Sequence, residues 1–169
     1  MFYKASLDIV GKIFTTIISL LFAFVIYTQV RILLKTNANI AIVIIVLLVI
    51  IYSTVLLFRP LGYSINKKEI IINRFVNKIY LPIIGIENIR LLLPTETKWM
   101  FRTFGVSGLF GYWGKFTNRS LGVTNWYSTK QKNLVLITMK NGRKVIISPN
   151  DYLNFIATYH NAKTKFLNT

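Results

Sequence analysis

The sequence predicts a membrane-anchored α+β chain. It reads as a two-helix transmembrane hairpin, then a small antiparallel β-barrel or sandwich of about seven strands, then one C-terminal amphipathic helix. Three observations carry this. Two long apolar runs without charge lie near the start. From residue 60 the chain breaks into short apolar runs separated by turn residues. Near residue 149 the apolar period changes from that of a strand to that of a helix.

The first element is residues 13–30, charge-free between Lys12 and Arg31. The second is residues 36–58, charge-free between Lys35 and Arg59. At about 1.5 Å per residue these runs span roughly 27–34 Å, close to the hydrocarbon core of a bilayer. Ile and Val are poor helix formers in water, but a bilayer forces the backbone to bond internally. Helices are expected at about 10–33 and 38–58, so residues 1–59 form the anchor. The first run has no small-x-small cleavage site, and a second run follows at once, so it does not read as a signal peptide. The connector from Arg31 to Asn39 is short and makes the pair antiparallel.

Flanking charge sets the expected orientation. Lys4, Lys12, Arg59, Lys67, Lys68, Arg74 and Lys78 flank the open ends of the hairpin, whereas Arg31 and Lys35 alone flank the connector. Both termini are therefore expected in the cytoplasm and the chain in the inner (cytoplasmic) membrane, as a multi-pass protein.

Residues 60–169 form the second domain. Strands are expected over 61–66, 69–75, 78–82, 86–93, 121–129, 133–140 and 143–149. Asn141-Gly142 between two apolar runs signals a hairpin, because both residues tolerate the positive φ of a type I′ turn. Ser148-Pro149-Asn150-Asp151 reads as a helix start, with Ser at the cap and Pro at the first helical position. The helix is expected over about 149–160, with Tyr152, Leu153, Phe155, Ile156 and Tyr159 on its apolar face.

Composition narrows the function. The 169 residues include 21 Lys and Arg against 5 Asp and Glu, a formal net charge of +16. There is no Cys and a single His, His160. That removes disulfides, thiolate metal sites, cysteine nucleophiles and the usual histidine metal sites. Five carboxylates spread over different elements leave no acid–base constellation. Glu87 and Arg90, three apart on a strand, fall on opposite faces and do not pair. No enzyme activity, no cofactor and no metal site are expected. Asn118-Arg119-Ser120 matches a glycosylation triplet, but the expected topology puts it inside.

One segment is unusual. Residues 100–118 carry glycines at 105, 108, 111 and 114, with Phe101, Phe104, Phe110, Tyr112, Trp113 and Phe116 between them. The spacing fits neither the dinucleotide fingerprint nor the phosphate-binding P-loop. Two readings stay open. One is a compact loop that packs its aromatics on the barrel or at the membrane interface. The other is a loop for a ligand or partner, built on Gly105, Gly108, Phe110, Gly111, Tyr112, Trp113 and Gly114, with Arg102, Lys115 and Arg119 supplying positive charge.

Residues 61–159 resemble a bacterial pleckstrin-homology (PH)-like domain attached to membrane helices. The resemblance rests on GYSINKKEIIINR, the IENIRLL strand, FGVSGLFGYWGKFTN, the WYST strand, and NLVLITMKNGRKVIISPNDYLNFI. It implies a seven-stranded, partly open barrel capped by one helix. Eukaryotic relatives of that fold often bind phosphoinositide headgroups through basic residues of the first hairpin, and Lys67 and Lys68 sit in a comparable turn.

Residues 61–169 hold 16 Lys and Arg and 4 acids, so 16 − 4 gives +12 of the net charge. A leaflet rich in anionic lipid attracts such a surface by roughly 1 kcal/mol per basic residue held near it. Nucleic acid is not the expected partner, for there is no helix-turn-helix or zinc-finger pattern. The expected function is a noncatalytic, membrane-anchored PH-like binding module. It would recruit or regulate a membrane-protein partner, with its basic surface on anionic lipid. The alternative is a structural or accessory subunit of a larger membrane complex with no specific ligand. The helices show no small-xxx-small face, so the oligomeric state stays open.

Overall fold

The computed structural model describes residues 1–36 and 39–167. Two helices come early: α1 (Ile9–Thr36) and α2 (Asn39–Phe58). Residue 38, the expected start of the second helix, lies outside the described residues. Both helices are long and apolar enough to cross a membrane, and few of their side chains are fully buried. Asp8 starts α1 as its cap: its Oδ1 accepts from Gly11 N at 2.7 Å, which satisfies a free amide of the first turn. The two helices meet where the Ser19 and Tyr52 hydroxyls lie 2.8 Å apart and the Phe22 ring tilts against Tyr52.

The rest is a β-rich region. The strands after α2 are β2 (Pro60–Ile65), β3 (Glu69–Arg74), β4 (Ile79–Pro82), β5 (Ile86–Leu91), β6 (Phe101–Gly108), β7 (Gly111–Asn118), β8 (Gly122–Ser128), β9 (Val135–Met139) and β10 (Lys144–Ile147), followed by α3 (Tyr152–Leu167). A tenth strand, β1 (Phe2–Lys4), precedes α1. They form two open sheets rather than a closed barrel, ordered β1-β2-β3-β4 and β5-β9-β10-β8-β7-β6.

Several expectations need correction. Residues 1–59 are not all helical anchor: β1 pairs antiparallel with β2, Tyr3 opposite Tyr63. The N-terminal segment is therefore part of the first sheet, and both open ends of the helix pair lie on the β-domain side. The domain is not wholly antiparallel, because β10 runs parallel to β8, with Ile146 opposite Trp126. The Asn141-Gly142 turn joins β9 to β10, but Gly142 alone takes a positive φ, 79°. Gly142 N bonds Met139 O and Met139 N bonds Arg143 O, the pattern of a type I turn closed by a glycine bulge. The cap of α3 is Asp151, whose Oδ1 accepts from Asn154 N at 3.1 Å. The helix starts at Tyr152 and runs beyond residue 160.

Ser148 has a different task. It is fully buried. Its N donates to the Tyr63 hydroxyl at 3.1 Å, and its Oγ accepts from Thr129 N at 2.8 Å. The Tyr63 hydroxyl donates to Tyr127 O at 2.6 Å. Burial pushes the Tyr63 hydroxyl up to about 12. This network joins the two sheets through Tyr63, itself part of the main core.

That core lies between the sheets and α3. Ile70, Ile72 and Leu81 meet Ile137, Val145 and Ile147 under Phe155 and Tyr159. Tyr3 locks β1 to α3: its hydroxyl donates to Thr158 Oγ1 at 2.7 Å and its ring meets Phe155 edge-on at 5.1 Å. A second core, on the other face of the larger sheet, holds Tyr112, Phe116, Trp126, Leu136 and Ile146.

Candidate functional site

The glycine–aromatic segment is a hairpin, not a loop. A two-residue connection, Leu109-Phe110, joins β6 to β7. The register sets Gly105 opposite Gly114 and Gly108 opposite Gly111. A three-residue repeat, folded about its centre, thus becomes two facing glycine pairs. All four take φ between 106° and 125°, a region closed to side chains. A Cβ at Gly105 would lie 2.1 Å from Trp113 O, and one at Gly114 would lie 2.2 Å from Phe104 O. Only glycine fits this crossing.

The tip of the hairpin sits on the helix pair. Leu109 and Phe110 are buried against Val55, with Tyr52 and Ile18 at the edge. Phe110 N donates to Thr15 Oγ1 at 3.0 Å, and its ring meets Tyr52 edge-on at 5.3 Å. Trp113 stacks on Phe58 at 5.7 Å. Arg59 lies 5.6 Å over the ring of Phe110, and Arg74 lies 5.4 Å over that of Phe58. Burial lowers the Arg74 pKa. Burial, and then the nearby Asp8 carboxylate, raises that of Tyr112. Two of the basic residues that flank the helices therefore also clamp aromatics at the junction.

The base of the same hairpin is open. Phe101 is 64% exposed and Phe104 71%. Phe101 lies opposite Thr117 and Phe104 opposite Lys115; Thr117 in turn lies opposite Val123 on β8. Opposed residues share a face, so these five side chains form one outer surface. Trp99, just before β6, is 83% exposed and takes a left-handed φ of 55°. A pocket of about 540 Å³ lies among Trp99, Phe101, Thr117, Asn118 and Arg119.

The segment before Trp99 is held firmly. Arg90 grips Glu96 through two bonds of 2.7 and 2.6 Å. Its guanidinium holds the Glu96 carboxyl down at about 2, helped by the Leu93 amide. The Asn118 amide donates to Glu96 O at 2.6 Å and Lys98 O at 3.2 Å. Asn118 is thus occupied inside the fold.

The expected basic residues do not make one site. Lys67 and Lys68 lie in the β2–β3 turn of the smaller sheet. Arg102, Lys115 and Arg119 are exposed on or beside the β6–β7 edge of the larger one. Within that second group, Arg102 lies opposite Phe116, on the other face from Lys115. Among the expected loop residues, Phe110 and Tyr112 are buried and Trp113 is half-buried. Trp99 was not among the expected site residues; a tryptophan beside Lys98, just outside the glycine run, is the signal that marks it. Among the described residues no group of His, Asp or Glu is placed to hold a metal.

A model of the bacterial PH domain family matches residues 61–162. That is more than half of the chain, and the chain belongs to this family. PH domains are binding modules and generally noncatalytic. No curated protein matches the chain, and no solved structure does.

Proposed function

We propose that the chain is a noncatalytic membrane-anchored binding module. Its helix pair spans the inner membrane with both termini in the cytoplasm. Its PH domain recruits or regulates a membrane protein while its basic surface rests on anionic lipid. The observation that carries this reading is the seating of the β6–β7 tip. Leu109 and Phe110 pack on Thr15, Tyr52 and Val55, each six or fewer residues inside a helix end. A domain joined in this way stays at the bilayer surface, where a charge of +12 over residues 61–169 acts at short range. Three of the five acids have structural tasks, which supports a noncatalytic role: Asp8 and Asp151 cap helices, and Glu96 is bound to Arg90.

The test uses the full chain in native membranes. Alkaline carbonate washing leaves it in the membrane pellet, and trypsin added outside intact spheroplasts leaves the domain uncut. Release by carbonate contradicts the anchor; cleavage from outside contradicts the orientation. In reconstituted bilayers, trypsin cuts the domain more slowly on anionic than on neutral lipid, and salt removes the difference. Equal rates contradict the lipid contact.

A further inference from the structure

We infer that the outer face of β6–β8 is the surface through which the domain lies on the anionic leaflet. Trp99, Phe101, Phe104 and Val123 would enter the interface, with Lys115 and Arg119 on lipid phosphates. This rests on the membrane-anchored reading above and adds which face meets the lipid. Three observations carry it.

The first is composition. Exposed aromatics beside Lys and Arg match the demands of a bilayer interface, where rings settle at headgroup depth and cations meet phosphate. Val123 extends the apolar row, 62% exposed. The pocket is lined by the Trp99 and Phe101 rings together with Arg119, which suits an amphiphile with an anionic head.

The second is strain. A bulky residue at positive φ is an outlier that persists only where its surroundings enforce it. Here the Asn118 and Arg90–Glu96 contacts fix the preceding residues, yet the Trp99 ring is held in solvent rather than in a core. Such an outlier points to a use outside the chain.

The third is charge and edge design. The strand β6 ends the larger sheet, but a bulge between Arg102 and Phe104 interrupts its pairing. Such a bulge discourages another strand from pairing. A second copy would bring +16 against +16. An anionic surface that needs no strand register is the occupant that fits. At its membrane end the same strand reaches α1, where Gly108 lies beside Phe14, so the face continues toward the lipid-facing side of that helix.

Hydrogen–deuterium exchange of the full chain in nanodiscs tests this, with neutral phosphatidylcholine compared with an equal mixture of phosphatidylcholine and phosphatidylglycerol. The expected result is roughly tenfold slower exchange at residues 99–104 and 119–123 on the anionic discs only. Lys115→Glu with Arg119→Glu removes that protection while the core amides of β9 and β10 stay slow. Trp99→Ser, at an exposed position, weakens it without loss of folding. Protection at residues 66–69 instead would overturn this inference but leave lipid docking standing. No lipid-dependent protection anywhere would overturn both. Protection of the same face on neutral discs alike would also overturn it, since charge would then have no part.

Discussion

Phe110 and Trp99 have nearly the same left-handed φ, 56° and 55°, at opposite ends of one hairpin. Phe110 is 8% exposed, whereas Trp99 stands almost free. At Phe110 the chain itself accounts for the strain: Thr15 holds the amide and Tyr52 and Val55 enclose the ring. At Trp99 the chain supplies the strain but no enclosure. One aromatic-rich hairpin therefore fixes the domain to the helices at its tip and offers an open face at its base. The facing glycine pairs lie between the two ends.

Five substitutions probe that contrast, each read by reversible denaturation of the full chain in detergent micelles. Phe110→Gly should have the largest effect, a loss of roughly 3–4 kcal/mol, since emptying a buried aromatic site outweighs the relief of its positive φ. A loss below about 1 kcal/mol would mean the tip is not seated. Gly105→Ala should cost roughly 2–3 kcal/mol through backbone collision and a forbidden φ. Gly142→Ala is its control: it also has a positive φ but meets nothing within 4 Å, and should cost only about 1 kcal/mol. Equal costs would show that the crossing at Gly105 is looser than its geometry.

Glu96→Gln should cost about 1 kcal/mol near neutral pH. The Glu96 carboxyl lies at about 2 in the fold against an ordinary 4.5. Its contribution is therefore full above pH 4.5 and is lost as pH falls toward 2. The variant lacks that segment of the acid profile; a wild type and variant with parallel profiles would contradict the ion pair. Trp99→Gly should have the smallest effect, within about 0.5 kcal/mol, because relief of a strained φ offsets the added chain entropy. A loss comparable to that at Phe110 would erase the contrast.

Much of the architecture is legible in the sequence, and the exceptions have physical reasons. The helix runs are visible because two stretches lack any charge. The strands β2–β5 and β8–β10 are visible because β-branched runs end at turn residues. The strand β1 is three residues, Phe2–Lys4, too short to show a period, and only its partner β2 makes it a strand. Glycine density hides β6 and β7, since glycine weakens a strand by propensity. Their identity depends on a register that sets glycine against glycine. The parallel pairing of β8 with β10 is equally invisible, because alternation tells which face is buried and not which neighbour is bonded.

The site was legible only in part. Lys115 and Arg119 are singled out by charge, and the fold sets them near exposed aromatics. Arg102 shares the segment but lies on the other face, and Lys67 and Lys68 belong to the other sheet. Asn150 and Thr129, which tie the N-terminal segment to the domain through Ser6, have no motif that announces them. Long-range hydrogen bonds of this kind are properties of the fold.

The central claim is that the hairpin tip is energetically joined to the helix pair. A double-mutant cycle tests it most directly, with Tyr52→Leu, Phe110→Leu and the double variant unfolded as full chains under identical conditions. The contact between these rings predicts a coupling of about 1 kcal/mol, so the double variant should lose less than the two singles together. Losses that add to within about 0.3 kcal/mol would contradict the claim, because the tip and helix would then be neighbours without interaction.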